Sequence, residues 1–291
     1  MKQKGIPITK QQKLSVGILG LGIIGTRVAA ILRREERIQV LVWNRSSRPE
    51  PHFLPSPLEV AASAEILQIF VRDGTALLEV VEQIVPALTK KHLVLNHATV
   101  SPQETLKAAA LVEKKGAQFL DAPFTGSRDA AAEGKLVYYV GGSDEALERA
   151  IPILKLSSKK ILPMGAIGTA TYIKIATNLI AGVQIQVLAE ALEFLNLGEI
   201  PFQYLHEALQ HNAAFSNTIG MKLPLMLQGN FEPHFSTKNM LKDLQFALNL
   251  VEDHGIALPA TAATAASLRD LVALGLGDKD YSALAARYDY Q

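Results

Sequence analysis

One stretch limits the possible folds more than any other: residues 168–195, which read GTATYIKIATNLIAGVQIQVLAEALEFL. It holds no proline and one interior glycine, Gly182. Its apolar residues (Ile173, Ile175, Ile180, Val183, Ile185, Val187, Leu188, Leu192) point to almost every side. A helix of about 28 residues is about 42 Å long, too long to lie under one small core. Being apolar nearly all round, it is expected to be covered on every face, between two domains or against a second subunit. Lys174 stands out as an ammonium in the first turns of an apolar helix, and Asn178 lies one turn on along the same face, so the two can address a common pocket. The alternative for Lys174 is a side chain that snorkels to water near the helix start.

The 291 residues leave room for two domains, and 48% hydrophobic content supports sizeable cores. With 29 basic and 28 acidic side chains the net charge is +1, so neither nucleic acid nor a membrane surface is expected as a partner. Cysteine is absent, which excludes disulfides, thiolate metal ligands and a cysteine nucleophile and fits a reducing compartment. The seven histidines show no metal spacing, and no metal is expected. Residues 1–13 form a polar, basic tail that reads as neither signal peptide nor anchor, and no stretch approaches a membrane span free of polar residues. The expectation is a soluble, cytoplasmic protein.

Residues 14–165 alternate. LSVGILG is a short β-branched run ending in glycine; GLGIIG (Gly20, Leu21, Gly22, Ile23, Ile24, Gly25) follows at once, and then TRVAAILRREE at helical spacing. A GxGxxG pattern alone is weak, but between a strand and a helix it is a dinucleotide fingerprint. Gly20 permits a tight turn, Gly22 a close approach of backbone to a pyrophosphate, and Gly25 close packing of helix on strand. The second strand, QVLVWN, ends where an NAD-binding unit usually carries a carboxylate for the ribose 2′-hydroxyl. Here it ends in Asn44, Arg45, Ser46, Ser47 and Arg48. Arg45 with Ser46 suits a 2′-phosphate, so NADP (NADPH) is expected over NAD; the alternative is a solvated basic turn.

Further strands and helices alternate up to Gly165, which argues for a parallel, doubly wound sheet with ligands beyond the carboxyl ends of its strands. Among these ends, Thr125, Gly126 and Ser127 offer hydroxyl and amide donors in a row, suited to a small carboxylate. The alternative is a loop capping a helix that starts near Arg128. His97 reads as a loop residue rather than a catalyst. From 166 to 291 every segment reads as helix: Pro201 to His211, Thr218 to Leu227, Lys238 to His254, Pro259 to Leu274 and a final turn near Tyr281 to Tyr288.

In this order, GLGIIG, ATVSP (98–102), DAPFTGS with AAAEGKL, GTATYIKIATN and KDLQFAL (242–248) resemble the successive motifs of the β-hydroxyacid dehydrogenase family. The resemblance covers nearly everything after the tail. It is nearest to the NADPH-dependent glyoxylate and succinic semialdehyde reductase branch. It implies a Rossmann-like domain, a long interdomain helix and an all-α second domain. It also implies Lys174 as the catalytic lysine, Asn178 as a substrate-holding asparagine, and Thr125 and Gly126 as the pair that binds the substrate carboxylate. Thr99 would lie on the cofactor side and Lys242 near the nicotinamide. Threonine at 125, Ser127, Ala170, Asn96 and His97 depart from the family's usual residues and bear on substrate identity.

The expected reaction is reduction of a small carboxylate-bearing aldehyde, Lys174 donating the proton. A lysine at its ordinary pKa of about 10.4 is a sluggish acid at neutral pH, so burial and the charge of Lys242 are expected to lower it. Two alternatives stand: an NAD(P)-dependent dehydrogenase of the 3-hydroxyisobutyrate type, and a nucleotide-binding sensor or structural subunit without chemistry. The apolar helix predicts a homodimer or homotetramer.

Overall fold

A computed structural model describes residues 13–252 and 254–287. The polar tail (all but Lys13) and Tyr288 of the last expected turn lie outside them. The chain divides into two compact units, one ending at Lys174 and one beginning at Ile175.

In the first unit, among the described residues, eight strands form one sheet. They are β1 (Leu14–Leu19), β2 (Ile38–Trp43), β3 (Ile66–Ile69), β4 (Leu93–Asn96), β5 (Gln118–Asp121), β6 (Phe124–Thr125), β7 (Leu136–Gly141) and β8 (Ser158–Gly165). The helices between them are α1 (Ile23–Leu32), α2 (Pro57–Ser63), α3 (Gly74–Ile84), α4 (Pro102–Glu113), α5 (Arg128–Ala132) and α6 (Asp144–Leu154). β1 to β5 are parallel in the order β2-β1-β3-β4-β5. Period-two alternation buries both faces: Val16, Ile18, Val40, Val42, Leu93 and Leu95 join the core that includes α1 and α6, whereas Leu41, Leu67, Ile69 and Val94 join that of α2, α3 and α4.

β1 to β5 form the expected parallel, doubly wound sheet, and the pairing changes only beyond β5. β7 runs antiparallel to β5 and β6, and β8 is parallel to β7. A parallel crossover needs about a dozen residues, usually a full helix. Between β6 and β7 the chain offers the five-residue α5 and two short turns, enough to reverse direction and no more.

α7 (Thr169–Leu197) carries the chain across the division. The second unit contains the rest of α7 with α8 (Phe202–Gln210), α9 (Asn217–Leu227), α10 (Thr237–Glu252), α11 (Pro259–Ala273) and a 3₁₀ turn (Tyr281–Arg287). Ile185, Leu188, Ala189 and Leu192 of α7 form one core with Leu223, Met240, Leu244, Leu268 and Leu284. Gly182 lets α10 approach: a Cβ there would lie 3.1 Å from Met240 Sδ. By length and composition α7 would also suit a membrane span, but this face is packed as core. Coverage on every face is not met among the described residues. Ile180, Val187, Phe194 and Leu197 are 59%, 55%, 74% and 83% exposed, because α9, α10 and α11 pack on the opposite side.

Candidate active site

The glycine turn between β1 and α1 has the shape of a dinucleotide cradle. Gly20 has φ +106, and a Cβ there would strike the Phe70 carbonyl oxygen at 2.1 Å. A Cβ on Gly25 would meet the Gly20 oxygen at the same distance. A Cβ on Gly22 would meet nothing within 4 Å, so the backbone there faces open space. Gly22 is also the N-cap of α1, and no side chain caps this helix among the described residues. By contrast, Ser56, Asp73, Ser101, Ser127 and Ser143 cap α2, α3, α4, α5 and α6. Uncapped amides at the positive end of a helix dipole suit a pyrophosphate, so the residues present fit the group. Leu21 is buried and Ile24 packs partly into the core, so of GLGIIG mainly the backbone is offered to a ligand.

The residues after β2 act on this turn as well as facing solvent. Asn44 Oδ1 accepts the Leu21 amide (3.0 Å), and its NH₂ donates to the Ser46 carbonyl (3.0 Å). Arg48 donates to the Leu21 carbonyl (2.7 Å). Arg45, expected to grip a phosphate, pairs with Glu79 of α3 at 2.8 Å in an exposed position.

At the strand ends, Ser127 does cap α5: its hydroxyl oxygen accepts the Ala130 amide (3.2 Å), the structural role weighed from sequence. Its O–H proton is still available to be donated. Gly126 has φ +137, and a Cβ there would lie 2.9 Å from Leu136 Cδ2, so only glycine fits beside Thr125. Thr99 is half-buried just beyond β4.

His97 is a loop residue, directly after β4, but its side chain is buried. It is 2% exposed and stacks on Phe70 with centroids 4.5 Å apart. Its Nδ1 lies 2.7 Å from the Ala122 carbonyl and its Nε2 2.9 Å from the side-chain amide of Gln68. Burial holds its pKa down at about 4, with the Ala122 bond opposing, so the ring is neutral. A neutral imidazole donates once, to Ala122, and so takes a proton from the Gln68 NH₂, which the reverse amide orientation leaves without a partner. The ring thus ties the ends of β3 and β5 together.

In α7, Lys174 and Asn178 are buried, at 8% and 9% exposure. The start of this helix is held by Asp121, the last residue of β5. Its Oδ2 accepts the Gly168 (3.1 Å) and Thr171 (2.9 Å) amides, and its Oδ1 accepts the Thr171 hydroxyl (2.8 Å). In the second unit the Asn178 NH₂ donates to Asp243 Oδ2 at 2.6 Å. Lys242 stands 2.8 Å from Asp243 Oδ1 in an ion pair and 4.8 Å from the Phe246 ring centroid. Asp243 interrupts the apolar pattern of α10 together with Lys238 and Lys242, charges whose default reading from sequence is a solvated face; the fold instead buries the carboxylate, 1% exposed, and turns it onto Asn178. Lys238, on the same helix, pairs at the surface with Asp278. Among the described residues no His, Asp or Glu cluster could hold a metal.

Residues 15–166 match the family model described as the NAD binding domain of 6-phosphogluconate dehydrogenase. Residues 168–288 match that described as NAD-binding of NADP-dependent 3-hydroxyisobutyrate dehydrogenase. Glyoxylate/succinic semialdehyde reductase 1 of Arabidopsis thaliana is 26% identical over 93% of this chain and 97% of its own length. The 2-hydroxy-3-oxopropionate reductase of Escherichia coli (strain K12) is 28% identical over 93% and 96%. Among solved structures, Mycobacterium tuberculosis 3-hydroxyisobutyrate dehydrogenase with L-serine superposes with a TM-score of 0.86 at 25% identity, over 95% of this chain and 99% of that one. Since the first family model alone spans over half of the sequence and the second takes up where it ends, the chain belongs to the β-hydroxyacid dehydrogenase family, oxidoreductases with an NAD(P)-binding domain.

Proposed function

We propose that the chain is an NADPH-dependent reductase of a small carboxylate-bearing aldehyde, of the glyoxylate or succinic semialdehyde type, with Lys174 as general acid. The observation that carries this reading is a buried primary amine early in α7, followed one turn on by an amide that a buried carboxylate orients. A bound reduced nicotinamide dinucleotide supplies the hydride. Lys174 gives a proton to the developing alkoxide oxygen and takes it back in the reverse direction. Thr125, Gly126 and Asn178, with the Ser127 hydroxyl, hold the carboxylate through donors, and Asp243 fixes which way the Asn178 amide faces. Arg45 and Ser46 take a 2′-phosphate, while Thr99 and Lys242 stand on the nicotinamide side.

Lys174→Ala should lower turnover by about 100-fold or more while NADPH binding survives. Near-normal turnover in that variant would remove Lys174 from the chemistry. Silence of the unaltered chain across a panel of aldehydes, with NADPH bound tightly, would favour a sensor. A second reading, oxidation of a 3-hydroxy acid, draws on the family model matched by residues 168–288. The same panel run in both directions with both cofactors separates the two. The exposed apolar side of α7 supports assembly as a homodimer or homotetramer.

A further inference from the structure

We infer that Asp121 is the positioning residue of this site, the group that sets where the amine of Lys174 stands. The inference rests on the reading of Lys174 as proton donor. α2 to α6 and α9 are each capped by the residue at their own start. A local cap of that kind fixes a helix only relative to itself. The opening amides of α7 are instead taken by a residue 47 and 50 positions away in sequence, at the end of a central strand. A cap from β5 fixes the opening turns of α7, which belong to the first unit, relative to the sheet.

The attachment restrains rotation as well as position. Two bonds reach Thr171, one to its amide and one to its hydroxyl, and Thr171 Oγ1 lies 3.1 Å from Thr105 Oγ1 on α4. The first turn is therefore held from the sheet and from a neighbouring helix at one residue. Lys174 follows three residues later, about 4.5 Å further along the axis and on nearly the same face. Any turn or slide of Thr171 is passed to the amine.

Asp121 also leads directly, through Ala122 and Pro123, into Phe124, Thr125 and Gly126. One residue thus indexes the proton donor and the carboxylate-binding loop to a single strand end. The side chain is fully buried, and two amides and a hydroxyl converge on it as donors, the pattern an ionised carboxylate satisfies. Asparagine in its place can keep the two amide bonds on its oxygen, but it loses the charge that strengthens all three bonds and must reverse the one to the Thr171 hydroxyl. Misplacement of a reacting group by about 1 Å can cost about 100-fold in rate.

The test compares Asp121→Asn, Thr171→Val and Thr171→Ser in the full chain. Thermal unfolding establishes folding, and NADPH titration counts binding-competent sites. Per competent site, Asp121→Asn should lower kcat about 10- to 100-fold, with KM for the aldehyde and Kd for NADPH within about 3-fold. Thr171→Val should lower kcat about 10-fold, and Thr171→Ser, which keeps the hydroxyl, should restore it. A purely structural cap would reduce the number of folded molecules and leave the rate of each unchanged. Asp121→Asn with kcat within about 3-fold of the unaltered chain overturns the inference; if that variant does not fold, an unchanged kcat in Thr171→Val overturns it. Lys174→Ala keeps the two claims apart. If it turns over normally, the reading of the lysine fails; if it is slow while Asp121→Asn is not, only the positioning role fails. Combining Asp121→Asn with Lys174→Ala should add little further loss, as expected of residues that act as a unit.

Discussion

Arg45 has two claims on its guanidinium, the proposed 2′-phosphate and the carboxylate of Glu79, and only one can hold it at a time. An exposed ion pair of this kind contributes about 0–1 kcal/mol, so releasing it matters modestly. Glu79→Gln should tighten NADPH binding by about 2- to 5-fold and leave NADH binding unchanged, measured by fluorescence titration. An unchanged Kd for NADPH would show that the two do not compete. His97 makes a second, independent prediction. Its folded pKa of about 4 lies below the ordinary 6.5, so its contribution to stability is complete above pH 6.5 and is lost as pH falls toward 4. The window corresponds to roughly 3 kcal/mol. Asp121, raised by burial against its three bonds, acts in the opposite sense, so the comparison must be between variants. Urea unfolding at pH 7 and pH 4.5 should show a smaller difference for His97→Gln than for the unaltered chain; equal differences would refute the assignment. The residues that bear on catalysis were legible in part. Lys174, Asn178 and the glycines announce themselves by type and spacing, whereas His97, Asp121 and Asp243 depend on partners 25 to 65 positions away, which no local pattern contains.

At the level of elements, the alternation of strand and helix and the run of helices after Gly168 could be read from hydrophobic period alone. α2 could not: it is seven residues long and begins at Pro57, in a stretch punctuated by proline. The direction of β7 was also missed, although the short span between β6 and β7 carries the clue. In the helical unit, Asp280 organises three segments: it pairs with Lys222 of α9 at 2.7 Å and accepts the amides of His234, Phe235 and Ser282. Burial pushes its carboxyl up, but the Lys222 charge and these donors prevail and hold it below the ordinary range. Lys222→Ala, which leaves a buried anion unpaired, should cost about 3–5 kcal/mol in chemical unfolding. A loss below about 1 kcal/mol would mean that the buried Asp280 carboxylate does not depend on Lys222.

For the whole molecule, the apolar face of α7 that the described residues leave bare departs from the coverage its composition demands. Ile180, Val187 and Phe194 recur every seven residues on that face, the spacing of a helix–helix seam. Light scattering at micromolar concentration should give an oligomer for the unaltered chain and a monomer for Ile180→Glu/Phe194→Glu. A monomeric unaltered chain would leave the seam without a role. The family was legible from five motifs in order. The chain length of the substrate was not, because it depends on the depth of a site that no run of residues encodes. Among α1 to α6, the opening turn of α1 alone has no side-chain cap, and a bound dinucleotide would complete it. Heat tolerance thereby becomes a shared property of the polypeptide and of the nucleotide pool around it, rising when that pool is full and falling when it is drained.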